Sequence, residues 1–287
     1  METIYLNPTN LEDYQRKADP CVIALGFFDG VHIGHRQVIK TAKRAAKEGE
    51  VSLAVMSFFP HPKAVLSKGK KKVDYLLPLK EKQRILSRLG VDRFYIVQFD
   101  PEFASLSPQQ FVNKYLLQLG AVHVVAGFDY AYGCRGEGNM DRMKKDSGGI
   151  LDVTKVEKVE LDGEKISSTL VREKIRAGEI DRLPAYLGDT YHVEGRILLR
   201  QNTPLVLMKP YYLLPARGKY EVTVKSKLGW STTEAFVTGE PGLIFLPNVA
   251  KGSVVPQEYV QIEWKRCLSK ELCSNYYQSE KDALSTG

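Results

Sequence analysis

The apolar run Cys21-Val22-Ile23-Ala24-Leu25-Gly26-Phe27 leads straight into Phe28-Asp29-Gly30-Val31-His32-Ile33-Gly34-His35 and then into a helix-forming segment, an order that few folds accommodate. An unbroken apolar run of this length is the pattern of a strand buried on both faces of a parallel sheet. From His35 to Lys47 the chain is rich in Ala, Lys, Arg and Gln. There Val38, Ile39, Ala42, Ala45 and Ala46 share one helical face, and Gly49 supplies a stop. Residues 26–35 are therefore a strand-to-helix turn. Such a turn leaves the first helical N–H groups unpaired and aims the positive end of the helix dipole at the carboxyl edge of the sheet, a setting that suits phosphate. Gly30 and Gly34 let a ligand approach the backbone, and two imidazoles, His32 and His35, flank the second glycine. Neither GxGxxG nor GxxxxGK[ST] occurs here, so the turn is neither a dinucleotide fingerprint nor a Walker A loop.

The same alternation continues downstream. Val51 to Phe58 reads as a second buried strand ending in Phe59-Pro60-His61-Pro62, and Lys63 to Asp74 reads as a basic loop. Pro78 starts a helix closed by Gly90, and Arg93 to Phe99 is a third strand. Ser107 and Pro108 begin a helix through Leu119, closed by Gly120, and Ala121 to Ala126 is the fourth strand. A fifth strand lies within Ile150 to Leu161. Right-handed crossovers then give an α/β, doubly wound parallel sheet whose sites gather at the carboxyl ends of the strands. The loops 28–35, 58–62 and 127–139 fall on that one rim.

In a chain of 287 residues there is room for two domains of ~150 residues each. The boundary is expected at Gly188-Asp189, giving domains 1–188 and 189–287. The apolar fraction of 43% and charged fraction of 26% are those of a globular protein without a membrane span. The first twenty residues lack the apolar core of a signal peptide, so a cytoplasmic location is expected. Four cysteines without CxxC spacing, Cys21, Cys134, Cys267 and Cys273, argue against a zinc site or a disulfide framework. The net charge of +7 is spread along the chain, with Lys68 to Lys72 as its only cluster. Small anionic ligands account for it as well as nucleic acid does, and nucleic acid is not the expected partner. Self-association is not decided by these features.

Two more stretches carry chemistry. Gly127-Phe128-Asp129-Tyr130-Ala131-Tyr132-Gly133-Cys134-Arg135-Gly136-Glu137-Gly138 sets three aromatics and an acid among four glycines, offering apolar faces to a planar ring. Lys165-Ile166-Ser167-Ser168-Thr169-Leu170-Val171-Arg172 places hydroxyls at a helix start and a cation one turn on, which by itself is the mark of a helix cap.

The HxGH after a first apolar strand resembles the nucleotidylyltransferase superfamily, and GFFDGVHIGH is similar to the adenylyltransferase half of bacterial FAD synthetases of the riboflavin kinase/FMN adenylyltransferase type. ISSTLVR resembles the ISSTxIR signature of the same superfamily. The resemblance implies transfer of AMP from ATP to FMN, giving FAD and pyrophosphate, with Mg2+ on the phosphates and no dedicated protein metal site. It implies catalytic roles for His32, His35 and Arg172. It further implies an ATP and phosphate site of Gly26, Phe27, Phe28, Asp29, Gly30, Gly34, Ser168, Thr169 and Arg172, with Asp29 orienting the loop or adenosine and Ser167 acting as the cap. SFFPHP and the loop after the fourth strand resemble the family's flavin site, implying Phe58, Pro60, His61, Pro62, Phe128, Asp129, Tyr130 and Tyr132 as flavin neighbours. The second Phe of SFFPHP replaces a more variable residue, a small departure.

From Tyr191 onward the pattern changes to short alternating strands: Tyr191 to Ile197, Lys219 to Val224, Thr232 to Val237, Gly242 to Leu246 and Tyr259 to Trp264. This is a small antiparallel β-barrel or sandwich, followed by a helical tail within 268–284. In the family this position holds a riboflavin kinase barrel, and YHVEGRIL, MKPYYLLPARGKYEVTV and VQIEWKRCLSKE resemble parts of it. The kinase chemistry is eroded. Where the family's GxPTAN loop follows Gly195 the chain reads Arg200-Gln201-Asn202-Thr203-Pro204-Leu205, and near Gly242-Leu243-Ile244-Phe245-Leu246-Pro247 there is no acid. A kinase-inactive barrel follows, because phosphoryl transfer rests on positioning and electrostatics. The rival readings are a bifunctional kinase and FAD synthetase with an unrecognised site, or a non-catalytic regulator that binds flavin or RNA.

Overall fold

The computed structural model describes residues 1–68, 70, 73–200, 203–209, 212–250 and 252–270. These residues form two compact units. The first comprises Met1–Val73 and Leu77–Ile166, and the second comprises Asp74–Leu76 and the chain from Ser167 onward. The second unit thus begins twenty-two residues ahead of the boundary read at 188–189, because the turn Ile180–Arg182 packs on the last barrel strand and the helix after Ser167 packs on that turn.

In chain order the first unit contains β1 (Glu2–Leu6), α1 (Leu11–Arg16), β2 (Cys21–Leu25), α2 (Ile33–Glu48), β3 (Ser52–Phe59), α3 (Pro62–Leu66), α4 (Leu79–Arg88), β4 (Arg93–Gln98), α5 (Pro101–Ala104) and α6 (Pro108–Phe111). After them come β5 (Ala121–Gly127), β6 (Ala131–Tyr132), β7 (Gly138–Asn139), α7 (Met143–Asp146), β8 (Asp152–Val156), β9 (Glu160–Leu161) and β10 (Glu164–Lys165). The main sheet has the order β1-β4-β3-β2-β5-β8, and every pairing in it is parallel.

Alternation along β2 explains the layering. Val22 and Ala24 face one core with Val38, Ile39 and Ala42 of α2, whereas Cys21, Ile23 and Leu25 face the other with Phe111, Tyr115 and Leu116. Because the strands run parallel, the loops after β2, β3 and β5 leave from one edge, as the sequence implies. The crossover after β2 goes to β3 on one side, while β5 lies on the other, so the turn 26–32 sits at the point where the winding direction reverses.

Several local features differ from the sequence reading. β1, absent from it, is an edge strand paired only with β4. The basic loop after His61 opens with the short helix α3, for which His61 Nδ1 accepts from Lys63 N at 3.0 Å. The helix expected from Ser107 to Leu119 tightens and widens along its length, continuing from α6 as a π turn over Val112–Leu116 and a 3-10 turn over Leu117–Leu119.

In the second unit α8 (Ser168–Arg176) and α9 (Leu183–Leu187) precede six strands: β11 (His192–Arg200), β12 (Thr203–Met208), β13 (Gly218–Ser226), β14 (Gly229–Val237), β15 (Leu243–Phe245) and β16 (Tyr259–Ser269). They close into an antiparallel barrel in the order β11-β12-β15-β14-β13-β16, filled by residues such as Val222, Ile244, Ile262 and Trp264. β12 is the strand that the sequence reading lacks. Residues Asp74–Leu76 join this unit through a parallel bridge between Tyr75 and Tyr212. The expected tail helix and Cys273 lie outside the described residues, while Cys21, Cys134 and Cys267 are free thiols.

Candidate active site

The turn after β2 is held in an uncommon backbone shape. Phe28 (φ 51°), Gly30 (φ 80°) and Val31 (φ 40°) all have positive φ. For a β-branched residue such as Val31 this is a true outlier, costing on the order of 1–3 kcal/mol and persisting only where the surroundings over-determine it. The anchors are visible. Phe28 is fully buried beneath α2, Asp29 is 1% exposed with Oδ1 accepting from Leu77 N at 3.3 Å, and Arg36 Nε donates to the Val31 carbonyl at 3.1 Å. The Phe27 carbonyl accepts from Ser57 Oγ at 2.8 Å and from Lys82 Nζ at 2.9 Å.

This turn delivers His32 as the N-cap of α2, so the helix starts two residues earlier than its composition suggests and takes in Ile33 and Gly34. His32 Nδ1 accepts from His35 N at 3.3 Å, so this nitrogen is the cap's acceptor and Nε2 is the ring's other nitrogen. The two imidazoles stack with centroids 3.6 Å apart at 16°, and Phe28 meets His35 edge-on at 5.3 Å. Gly34 makes the stacking possible, since a Cβ there would lie 3.2 Å from His32 Cε1 and Nδ1. Burial, reinforced by the neighbouring His32 and Lys82, holds the His35 imidazole well below its usual pKa. His35 Nδ1 is buried and has no hydrogen-bond partner. Two stacked imidazoles at a helix N-terminus can donate N–H groups to an anion.

Lys82, from α4, is 5% exposed, lies 4.9 Å from the Phe27 ring centroid, and has its pKa lowered to about 8 by burial, against the opposing pull of Asp29. Sequence reasoning missed it, because on a helix of mixed charge its position looks like one more solvated lysine. The turn and the loop after β3 meet where Phe27 and His61 rings approach to 4.1 Å. In that loop Phe58 turns inward, its ring 5.5 Å from Phe103 and 6.5 Å from Phe99 and Phe111, while Pro60 is exposed and Pro62 opens α3.

In the loop after β5, Phe128 and Asp129 are exposed. Lys165 Nζ pairs with Asp129 Oδ2 at 2.5 Å and sits 4.5 Å from the Phe128 ring centroid. Tyr130 and Tyr132 stack at 6.3 Å, and burial raises both phenol pKa values. The Tyr132 hydroxyl donates to Asp146 Oδ2 at 2.7 Å. Asp146 also receives Arg142 Nε and Nη2, each at 2.9 Å, and Gln109 Nε2 at 3.0 Å. Tyr132 therefore offers only its ring to a ligand; its phenol belongs to a buried network that also ties Arg142 Nη1 to the Glu137 carbonyl at 3.2 Å.

Ser168, Thr169 and Arg172 belong to the second unit. Ser167 Oγ accepts from Leu170 N at 3.2 Å as the N-cap of α8, the role read for it in the sequence. Arg172 Nε donates to the Asp74 carbonyl at 2.9 Å and Nη1 to the Ser168 carbonyl at 3.1 Å, and Arg176 Nη2 reaches Asp74 Oδ2 at 2.9 Å. Among the described residues no three His, Cys, Asp or Glu side chains converge on a point where a metal would sit, and no helix is long and apolar enough to cross a membrane.

Comparison with known proteins gives a consistent picture. The family model described as FAD synthetase matches residues 14–170. A bifunctional riboflavin kinase/FMN adenylyltransferase of Listeria monocytogenes is 42% identical over 77% of this chain and 73% of its own. An FAD synthetase of the same organism is 33% identical over 70% of this chain and 80% of its own. Among solved structures, a macrolide-efflux protein from Streptococcus pneumoniae superposes with a TM-score of 0.80 at 28% identity, covering 93% of this chain and all of that one (100%).

Proposed function

The chain belongs to the FAD synthetase family, and from that premise we propose that it is an FMN adenylyltransferase whose barrel does not phosphorylate riboflavin. The observation that carries the first part is the stacked His32 and His35 pair at the N-terminus of α2, presented by a strained turn at the winding reversal of the sheet. An FMN phosphate oxygen attacks the α-phosphorus of ATP in line. One P–O bond forms as the bond to the β-phosphate oxygen breaks, and pyrophosphate leaves. No protein nucleophile takes part. The N–H groups of His32, His35 and the first turn of α2 stabilise charge as it develops on the phosphates, a contribution that preorganised donors make without reorganising. By motif, Gly26 to Gly30 and Gly34 line the ATP path, Asp29 holds the turn, and Ser168, Thr169 and Arg172 grip the phosphates. Mg2+ would accompany the ATP phosphates and would supply charge neutralisation there, with Ser168, Thr169 and Arg172 holding the phosphates themselves.

The flavin is assigned to the loops after β3 and β5, with His61, Pro60, Pro62, Phe128 and Tyr130 contributing surface, the buried Tyr132 ring stacked on Tyr130, and Asp129 a polar group. Phe58 supports this surface from beneath, through the aromatic cluster. The proposal of an inactive barrel rests on residues that form ordinary ladder. Thr203, Pro204 and Leu205 run in β12 against Leu198, Leu199 and Arg200, and Leu243–Phe245 is an apolar strand without an acid. Gln201 and Asn202 lie outside the described residues. The named activity of the Listeria relative favours the bifunctional alternative, and one assay separates the two. Purified protein is given FMN with ATP, or riboflavin with ATP, and products are resolved by chromatography beside the His32→Ala variant. FAD from the first pair, lost in the variant, and no FMN from the second are expected. Equal FAD yield from the variant overturns the site; FMN from riboflavin overturns the account of the barrel.

A further inference from the structure

On the adenylyl-transfer reading, the turn 26–35 must hold His32 and His35 in place against an unfavourable backbone conformation. The Phe27 carbonyl lies two residues beyond the last residue of β2, Leu25. It has two lone pairs, and two side chains from different elements fill them: Ser57 Oγ of β3 at 2.8 Å and Lys82 Nζ of α4 at 2.9 Å. We propose that Lys82 and Ser57 are positioning residues for adenylyl transfer, clamping the Phe27 carbonyl and so fixing the turn that aims His32 and His35.

Three observations support the clamp. Lys82 is almost wholly enclosed, and an enclosed ammonium costs several kcal/mol unless its donors are used; an apolar residue at this position of α4 would pack at no such cost. The buried Asp29 carboxylate, two residues from Phe27, supplies the opposing charge. The clamp also acts one residue before the first left-handed position, Phe28, so releasing it lets the backbone relax where its strain begins. Both side chains are buried and each reaches the turn through the Phe27 carbonyl, so both act through the turn.

The test pairs kinetics with a readout that does not depend on turnover. Lys82→Met, Ser57→Ala and the double variant are made in the full chain, with kcat, the KM values for FMN and ATP, and the thermal midpoint measured for each. Lys82→Met is expected to lower kcat by about thirtyfold, since misplacing reacting groups by a fraction of an ångström is costly, while KM for FMN stays within about threefold. Ser57→Ala acts in the same direction. Because both release one carbonyl, the double variant falls no more than about twofold below Lys82→Met. Labelling Phe at its carbonyl carbon and at its nitrogen isolates the Phe–Phe pairs, Phe27–Phe28 and Phe58–Phe59. The Phe27 carbonyl signal is expected to move in both single variants. An unmoved signal overturns the clamp even if the protein makes no FAD, an outcome that would separately sink the enzyme assignment. A moved signal with kcat within twofold, or fully additive losses, overturns the positioning role. If Lys82→Met does not fold, Ser57→Ala decides by the same two criteria.

Discussion

Replacing Gly34 with alanine tests the imidazole pair without touching either imidazole. Gly34 lies in the first turn of α2 and needs no unusual backbone conformation, so Ala gains helix propensity, on the order of 0.5 kcal/mol near a helix end. The new Cβ would meet His32 Cε1 and Nδ1 at 3.2 Å, with the Ile166 carbonyl at 3.8 Å. Carbon contacts are comfortable at about 3.5 Å or more, so the ring has to shift by about 0.3 Å. That shift strains the bond that His32 Nδ1 accepts from His35 N, already 3.3 Å long, and such a cap is worth about 1 kcal/mol. The two terms nearly cancel, so the thermal midpoint should stay within about 3 °C of wild type. The rate should not. If a misplacement of 1 Å costs about a hundredfold, 0.3 Å costs about fourfold in kcat for FAD formation. The measurement is steady-state FAD production together with a thermal scan of the same sample. A more stable variant with unchanged kcat would refute the reasoning, because it would mean that the stacked geometry has no bearing on turnover.

Gly26→Ala should behave in the opposite way, since its Cβ would lie 3.0 Å from Cζ of the fully buried Phe28; a loss of roughly 1–3 kcal/mol is expected in urea unfolding. Lys82 has a folded pKa of about 8 and an ordinary value near 10.5, so the unfolded chain binds more protons between them and its contribution to stability rises with pH across that window; Lys82→Met should flatten this part of a melting-point profile. For His35, held below its ordinary value, the sign is the same at lower pH: stability falls as pH drops through about 6.5, and His35→Gln should reduce that fall. Asp146→Ala leaves Tyr132, Arg142 and Gln109 without their shared acceptor and should cost roughly 2–4 kcal/mol, moderated because the Arg142 side chain is 37% exposed, with KM for FMN rising more than KM for ATP.

The elements that build the first unit are legible because their signals are local. The run Cys21–Leu25 is apolar throughout and Ser52–Phe59 mostly so, α4 has Pro78 before it, and Ser167 caps α8 as its hydroxyl suggests. Glu2–Leu6 is not legible by that route. As an edge strand it buries only Ile4 and Leu6, and its ladder depends on β4, some ninety residues away. Thr203–Met208 is not legible either, because Pro204 is a residue that strand interiors rarely hold. Within the candidate site, glycine spacing and paired histidines announce the turn, whereas its supports do not announce themselves. Ser57 looks like a pause in an apolar strand, Lys82 like a surface lysine, and Tyr132 like a ring offered to a ligand. Only three-dimensional neighbours reveal that the first two share a carbonyl and that the third spends its hydroxyl on Asp146.

The chain passes between its two compact units three times, at Val73/Asp74, Leu76/Leu77 and Ile166/Ser167. No single cut therefore yields two whole pieces. A fragment ending at Ile166 would carry Asp74, Tyr75 and Leu76 as an orphaned insert, without Arg172 and Arg176 to hold Asp74 or Tyr212 to bridge Tyr75, and a fragment starting at Ser167 would lack them. Swapping modules between relatives, or expressing the barrel alone to ask what it binds, thus requires supplying this tripeptide in trans or by grafting. Heredity meets the same obstacle: a recombination event at the obvious seam would exchange most of a unit while leaving three of its residues in the other parent's sequence.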